Sequence, residues 1–277
     1  MNQPLVRKLV PRFLRNWLRS PSKSLRYVVD RLAYAAGSSP VASPAENWTI
    51  PCHPAALDHF EIFRKDPIQA EELRAFVEYC RPGMQLLDVG AHYGFFSLAC
   101  LHYAGPDARV LCVEASAKAA GILTANLKLN HAGNQVTVMV CAMGDHDGEL
   151  EMLTTGPMGG DYFVVPSERR DDTIKVPQRS LASLLKETKF IPTHLKMDIE
   201  SFEYEVIAAG TRELGAIQPV LFLEIHGDQL AVRGKHPAEI VEILRGCGYQ
   251  AFILNGKNVG LDEMEAVGFN CRLVCLP

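Results

Sequence analysis

Short apolar runs alternate with helical patterns along most of this 277-residue chain. The runs that predict strands cover residues 84–89, 109–114, 136–140, 194–198, 219–226, 249–254 and 269–275. The helical patterns cover about 69–79, 95–104, 117–131, 180–187, 202–209 and 237–246. Strands that alternate with helices pair in parallel through right-handed crossovers. The pattern therefore predicts an α/β fold, with a doubly wound, mostly parallel seven-stranded sheet and helices on both of its faces.

The amino-terminal region departs from this alternation. Residues 1–31 carry eight Lys or Arg residues and one acid, and residues 36–45 are small and Pro-rich, which is typical of a linker. We therefore expect residues 1–45 to precede a domain formed by 46–277. The basic segment has three open interpretations: contact with an anionic membrane surface or an acidic partner, an organellar transit peptide, or a helix or tail at the surface of the domain.

Residues 145–180 interrupt the alternation a second time. This stretch is rich in Gly, Pro and charged residues, and short β segments fit at 149–153, 161–165 and 173–177. A long insert between sheet elements is often functional. Two interpretations remain open, a β-rich flap that roofs a cofactor cleft and a flap that is simply solvated.

Composition excludes several classes of protein. The net charge of −4 argues against a nucleic-acid binder, and no apolar run approaches the ~18 residues of a membrane span. None of the eight cysteines forms a Cys-x-x-Cys pair, which argues against a zinc site. Buried free thiols in a reducing compartment are expected instead. We expect a cytoplasmic protein, with peripheral membrane contact through the basic segment as an alternative.

A glycine turn follows the first predicted strand of the sheet. Asp88 ends the strand, Gly90 and Gly94 follow, and an apolar helix begins at once. A strand, a glycine turn and a helix start at the carboxyl edge of a parallel sheet typically form a nucleotide-cofactor crevice. The spacing matches neither Gly-x-Gly-x-x-Gly nor a P-loop.

An acid at the tip of the next strand supports the same interpretation. Glu114 lies twenty residues after Gly94, where a carboxylate accepts hydrogen bonds from ribose hydroxyls. The alternative is the amino-terminal environment of a helix that begins after Ser116. The predicted cofactor-binding residues are Asp88, Gly90, Ala91, Gly94, Glu114 and Ala142.

Four polar residues lie near the carboxyl ends of two predicted central strands: Lys196, Asp198, Glu224 and His226. Central parallel strands are buried on both faces and are usually apolar throughout, so these residues are candidate catalytic groups. The alternative is a buried ion pair that braces neighbouring strands. His226, with an ordinary pKa near ~6.5, is a candidate general base, whereas Asp198 or Glu224 would hold an amine or an acceptor hydroxyl. A divalent metal on Asp198, Glu224 and His226 is a further alternative, and the predicted site includes no metal.

The stretches that carry a family resemblance are Asp88–Ser97, Val113–Glu114, Asn126–Asn130, Leu195–Ile207 and Leu223–His226. In this order they resemble the FkbM-type methyltransferases over about residues 68–275. The resemblance implies the Rossmann-like class I fold of methyltransferases that depend on S-adenosylmethionine (SAM), with an antiparallel final pair of strands. It also implies SAM as the cofactor and O-methylation of a hydroxyl on a sugar, glycan or natural product.

Two departures from the family pattern concern the site. Ser201 stands where a glycine is usual, and His92 stands where an Asn is common. Neither removes a carboxylate. The alternatives to this function are an RNA or other nucleic-acid methyltransferase and a non-catalytic binding module with the same fold. No nucleic-acid partner is expected, since the Asp/Asn-Pro-Pro-Tyr/Phe motif of base methylation is missing from the sequence.

Overall fold

A computed structural model of the chain describes residues 21–153, 173–200, 202–267 and 270–277. The chain separates into two compact units, Met1–Lys65 and Asp66–Pro277. In the part that the structure describes, no helix combines the length and the apolar character that a membrane crossing needs. All eight cysteines are free, as predicted.

The smaller unit contains a helix, α2, and a β-hairpin that the sequence patterns missed. Its described helices and strands are α1 (Pro21–Ala35), β1 (Val41–Ala45), β2 (Trp48–Pro51) and α2 (Leu57–Lys65). The prediction of a linker over 36–45 was wrong for β1, which pairs with β2 in an antiparallel hairpin. The small residues Ala42 and Pro44 point inward, and the Ser43 N–H donates to a carboxylate oxygen of Glu61 on α2 at 2.8 Å. Small inward residues give a weak alternation signal, which explains the error.

The larger unit contains the predicted alternation of strands and helices. Its described strands are β3 (Gln85–Val89), β4 (Arg109–Val113), β5 (Val136–Met139), β6 (Ala142–Gly144), β7 (Gly148–Leu153), β8 (Thr173–Ser180), β9 (His194–Met197), β10 (Val220–Ile225), β11 (Ala251–Leu254), β12 (Lys257–Asn258) and β13 (Cys271–Leu276). Its described helices are α3 (Pro67–Glu78), α4 (Phe95–Ala104), α5 (Ala117–Leu129), α6 (Leu181–Thr188), α7 (Glu203–Ala209), α8 (Thr211–Ile217), α9 (Gly227–Val232), α10 (Pro237–Gly246) and α11 (Leu261–Glu265).

The central sheet has the strand order β12-β11-β13-β10-β9-β3-β4-β5. The five strands β10, β9, β3, β4 and β5 are neighbours in this order and pair in parallel. Strand β13 lies between β10 and β11 and is antiparallel to both. This confirms the mostly parallel α/β sheet and its antiparallel final pair. Within the described residues the sheet has eight strands rather than the predicted seven, because the two residues of β12 add an edge strand beside β11. The inner strands are buried on both faces. One face is apolar and includes Leu87, Leu195 and Leu223, whereas the opposite face carries the buried Asp88 and Lys196.

A smaller sheet follows β5, in the order β6-β8-β7. The predicted segments at 149–153 and 173–177 lie within β7 and β8, and the segment at 161–165 lies outside the described residues. A roof over the cofactor cleft stays a prediction. The strand ends that matter most are those of β3, β4, β9 and β10, because parallel strands place their carboxyl ends at one edge of the sheet.

Candidate functional site

The glycine turn connects β3 to α4 and lies against the end of β9. Gly90 has a φ of 79°, and a Cβ placed there would collide with the backbone carbonyl oxygen of Asp198. The N–H groups of Gly90 and Ala91 both donate to the Val113 carbonyl, at 2.9 and 3.1 Å. Gly90 is one of the predicted cofactor-binding residues. The structure shows a requirement for glycine that does not depend on a ligand, since the backbone of residue 198 occupies the space beside it.

The other residues of the turn are also fixed by protein contacts. Gly94, with a φ of 85°, starts α4 in the left-handed region, where a glycine is favoured. The buried Asn126 side chain donates to the Tyr93 carbonyl at 2.8 Å. His92, the departure from the family pattern, adopts a φ of 49°. These contacts give the turn a single conformation.

Asp88 is buried beneath the turn and binds the first turn of α4. The Ser97 hydroxyl donates to its carboxylate at 2.5 Å. Burial raises the pKa of Asp88, with the Ser97 hydrogen bond and the Lys196 charge opposing that rise. Asp88 therefore ties β3 to α4.

Glu114 directly follows β4, and its carboxylate organises the turn from the other side. One oxygen accepts the His92 N–H at 2.8 Å, and the other accepts the Ser116 N–H at 2.7 Å. The Ser116 hydroxyl in turn accepts the Ala119 N–H and caps α5. Glu114 therefore does contribute to the amino-terminal environment of α5, as the alternative interpretation predicts. This contribution does not exclude the ribose interpretation, because each carboxylate oxygen can accept a second hydrogen bond.

The charge of Glu114 is sensitive to pH near neutrality. Burial raises the pKa of its carboxyl to about 7, although the hydrogen bonds from Ser116 and His92 lower it. Ala142, the remaining predicted cofactor residue, is buried at the start of β6.

A second cluster lies where β9 and β10 end, and we call Asp198, Glu200 and His226 the Asp–Glu–His cluster. His226 Nε2 lies 3.8 Å from an oxygen of Asp198 and 3.4 Å from an oxygen of Glu200. One ligand atom from each of the three residues lies within 4.8 Å of the others. His226 is buried, whereas the two carboxylate side chains are 33% and 36% exposed. The two carboxylates of the cluster therefore lie on its solvent side, and the imidazole lies on its buried side.

Glu203 holds the ring of His226 in place. Its carboxylate, fully buried at the start of α7, lies 2.9 Å from His226 Nδ1 and also accepts the Ile199 N–H at 3.3 Å. This leaves Nε2 directed at Asp198 and Glu200. The sequence motif contained Glu203, but its distance of 23 residues from His226 concealed this role.

The expectation that His226 titrates near ~6.5 was wrong. Burial opposes the charged ring, but the hydrogen bond and charge of Glu203, with the charges of Asp198 and Glu200, outweigh burial and raise the pKa of His226 to about 9. A ring that is protonated at neutral pH cannot accept a proton, so His226 in this arrangement is not a general base.

Lys196 and Glu224 lie beneath the cluster in a network of ion pairs. Lys196 Nζ lies 3.3 Å from Glu72 and 3.7 Å from Asp198, over the ring of Phe96. Arg272 contacts Glu224 at 2.6 Å and Glu72 at 2.9 Å. We call Glu72, Lys196, Glu224 and Arg272 the buried ion network. It has the form of the predicted alternative, ion pairs that brace neighbouring strands.

The network also sets the charges around Asp198. Burial raises the pKa of Asp198, but Lys196 and His226 outweigh it, and the net pKa is lowered. Burial and the Asp198 charge raise the pKa of Glu224 to about 8. Asp198 is therefore the more readily ionised and the more exposed carboxylate of this pair, and the charges of Lys196 and Arg272 oppose the rise in the pKa of Glu224. The predicted metal set contained Glu224, whereas the structure directs Glu224 to Arg272 and brings Glu200 to the cluster instead.

Comparison with known proteins gives one family match. A family model described as the Methyltransferase FkbM domain matches residues 88–251. No curated protein matches the chain.

Three of the solved structures that are similar to the chain are the following. A methyltransferase FkbM from Methylobacillus flagellatus shares 18% sequence identity at a TM-score of 0.45, over 80% of this chain and 53% of that one. The chain thus spans about half the length of that relative. An O-methyltransferase from Bacillus cereus in complex with SAH shares 13% identity at 0.41, over 76% and 81%. A fibrillarin from Aeropyrum pernix with bound SAM shares 12% identity at 0.44, over 75% and 76%.

Proposed function

The chain belongs to the FkbM methyltransferase family, and from this premise we propose that it methylates a hydroxyl oxygen of a small molecule or glycan. The family assignment makes the chain a methyltransferase of the class I fold with SAM as its cofactor. O-methylation and the class of acceptor are the proposal. The observation that supports them is the Asp–Glu–His cluster, which places accessible carboxylates at the edge of the sheet beside the glycine turn.

The residues on the β3 and β4 side fit the cofactor. SAM supplies a methyl group on a positively charged sulfur, and transfer requires the acceptor, methyl and sulfur to be aligned. Glu114 offers two oxygens, each able to accept a second hydrogen bond, and a ribose diol needs such acceptors for its two hydroxyl groups. The backbone of the turn is held by hydrogen bonds to the Asn126 side chain and to the Val113 carbonyl, which favours a preformed cofactor site.

The residues on the β9 and β10 side fit a hydroxyl acceptor. A hydroxyl must lose its proton as its oxygen becomes an ether, so an accepting group near it accelerates transfer. Asp198 is 33% exposed, and Lys196 lies 3.7 Å from its carboxylate and favours its charged form. We assign Asp198 the hydrogen bond from the acceptor hydroxyl. Lys196 and Glu224 were predicted to be catalytic. We assign them a supporting role, in which they keep Asp198 ionised and in position.

Radiolabelled methyl transfer tests the proposal. The full-length chain is incubated with SAM labelled on its methyl group and with separate pools of glycans, hydroxylated natural products and RNA. We expect alkali-stable methyl ethers in the glycan or natural-product pool. Label found only in RNA would overturn the proposal in favour of a nucleic-acid methyltransferase.

Two variants make the result specific. Asp198→Asn keeps the shape of the side chain and removes its charge, and we expect transfer to fall by about 100-fold or more. Glu242→Gln makes the matching change at an exposed position on α10 and should transfer like the wild type. Equal transfer by the two variants would remove Asp198 from the reaction.

A further inference from the structure

We propose that the Asp–Glu–His cluster binds one divalent cation of the Mg²⁺ or Mn²⁺ class, and that this cation holds two adjacent hydroxyls of the acceptor. The cation site follows from the geometry of the chain. Its role toward the acceptor rests on the proposed function. The substrate class would narrow accordingly to vicinal diols, such as sugars, and to other acceptors with paired hydroxyls.

The spacing of the three side chains suits one ion. Ligands at about 2.1 Å from an octahedral cation lie about 3.0 Å apart when adjacent and about 4.2 Å apart when opposite. His226 Nε2 lies 3.4 Å from the Glu200 oxygen and 3.8 Å from the Asp198 oxygen. The full set spans no more than 4.8 Å, so small rotations of the two carboxylates complete the site.

The surroundings of His226 are those of a metal ligand. Ligating imidazoles almost always bond a carboxylate or carbonyl through their second nitrogen, which fixes the ring and its tautomer. Glu203 occupies this position at 2.9 Å from Nδ1, which leaves Nε2 for the ion. The same arrangement supplies a third carboxylate behind the ring.

The two oxygens of Asp198 face different neighbours. Lys196 Nζ lies 3.7 Å from one oxygen, and the other oxygen lies 3.8 Å from His226 Nε2. The second oxygen therefore faces the proposed ion together with His226.

The ligand set and its exposure indicate the kind of cation and its task. Carboxylate oxygens suit Mg²⁺ and Mn²⁺, and an imidazole favours Mn²⁺ over Mg²⁺. Three protein ligands leave three octahedral positions at the solvent side, where Asp198 and Glu200 are 33% and 36% exposed. Two adjacent hydroxyls fill two of them. As the new C–O bond forms and the S–C bond breaks, the hydroxyl proton leaves along its hydrogen bond to the Asp198 carboxylate and passes on to solvent, and the sulfur leaves as a neutral thioether.

Binding of Mn²⁺ alone tests the site without any acceptor. The chelator-treated full-length protein is titrated with Mn²⁺ and the free ion is followed by electron paramagnetic resonance. We expect one ion per chain in the wild type, and at least tenfold weaker binding in Glu200→Gln and in His226→Ala. Glu242→Gln, the exposed match for Glu200→Gln, should bind like the wild type. Absence of Mn²⁺ binding by the wild type, or equal binding by Glu200→Gln and Glu242→Gln, would overturn the site.

The same samples separate this inference from the proposed function. Thermal unfolding shows whether each variant is folded, and His226→Ala is replaced by His226→Gln if it is not. Methyl transfer that survives chelation would reject the role of the cation and leave the proposed function standing. Binding of Mn²⁺ with no transfer to any hydroxyl acceptor would keep the site and reject the proposed function.

Discussion

The two halves of the sheet edge hold their charged groups in different ways. On the β3 and β4 side, backbone N–H groups satisfy Glu114, and a neighbouring hydroxyl satisfies Asp88. On the β9 and β10 side, charged side chains satisfy each other, as Lys196, Glu224 and Arg272 do. The charged groups of the first half are therefore stabilised by the backbone conformation, and those of the second half by the opposite charges of neighbouring side chains.

This difference predicts how each half responds to change. A substitution on the β3 and β4 side should act through backbone fit and cofactor affinity. A substitution on the β9 and β10 side should leave a neighbouring charge without its counterpart, because the side chains of the buried ion network are only 5–29% exposed and little solvent can replace a lost partner. Stability and binding experiments can therefore distinguish the two halves.

The largest effect is expected from Lys196→Met, which removes the central cation of the buried ion network. Glu72 and Asp198 would lose their shared partner, and breaking a buried pair costs about 3–5 kcal/mol. Urea unfolding measures the loss. Lys175→Met is the matched control, since Lys175 pairs with Glu149 at an exposed site and should cost less than about 1 kcal/mol. Equal losses of unfolding free energy in the two variants would show that Lys196 does not stabilise the buried ion network through its charge.

A smaller loss is expected from Gly90→Ala. Its Cβ would collide with the Asp198 carbonyl, and its φ of 79° disfavours a side chain, so we expect a loss of about 3 kcal/mol. Gly83→Ala has a similar φ of 74° with open space around its Cβ, and should cost about 1 kcal/mol. If the two variants unfold at the same urea concentration, the contact between the turn and residue 198 is not a constraint.

The smallest effect concerns the pH dependence of cofactor affinity. The pKa of Glu114 is raised to about 7, so its carboxylate is mostly charged at pH 8 and mostly protonated at pH 6. A protonated carboxyl is a weaker acceptor for ribose hydroxyls, and we expect affinity for S-adenosylhomocysteine to fall about tenfold from pH 8 to pH 6. Glu114→Gln should show weak and nearly pH-independent binding. A pH profile that Glu114→Gln leaves unchanged would exclude Glu114 as the titrating contact.

The sequence predicts the fold where local signals agree. Helix α4 begins and ends as predicted, because glycines with positive φ, Gly94 and Gly105, bound an apolar run. Helix α10 likewise matches, and His236 caps its start beside Pro237. The hairpin β1–β2 was missed because its inward residues are small, and α8 was missed because a second helix follows Gly210 directly.

The site was harder to predict because its contacts join distant parts of the chain. Lys196, Asp198, Glu224 and His226 were recognised as polar residues on apolar strands. The partners of these residues could not be recognised from the sequence. Arg272 and Glu72, for example, are 200 residues apart, and no spacing rule links them. An arginine within the apolar strand β13 was the one available signal. The pKa of His226 depends on Glu203 in the same way, so the sequence could identify the residue and not its charge.

Calorimetric titration with S-adenosylhomocysteine tests the central claim most directly, that the β3 and β4 side binds the cofactor and the β9 and β10 side serves the acceptor. We predict one binding site in the wild type, affinity within about twofold of the wild type in Asp198→Asn, and about tenfold weaker binding in Glu114→Gln. No binding by the folded wild type would contradict the account. A loss in Asp198→Asn as large as that in Glu114→Gln would contradict it as well, because Asp198 would then belong to the cofactor.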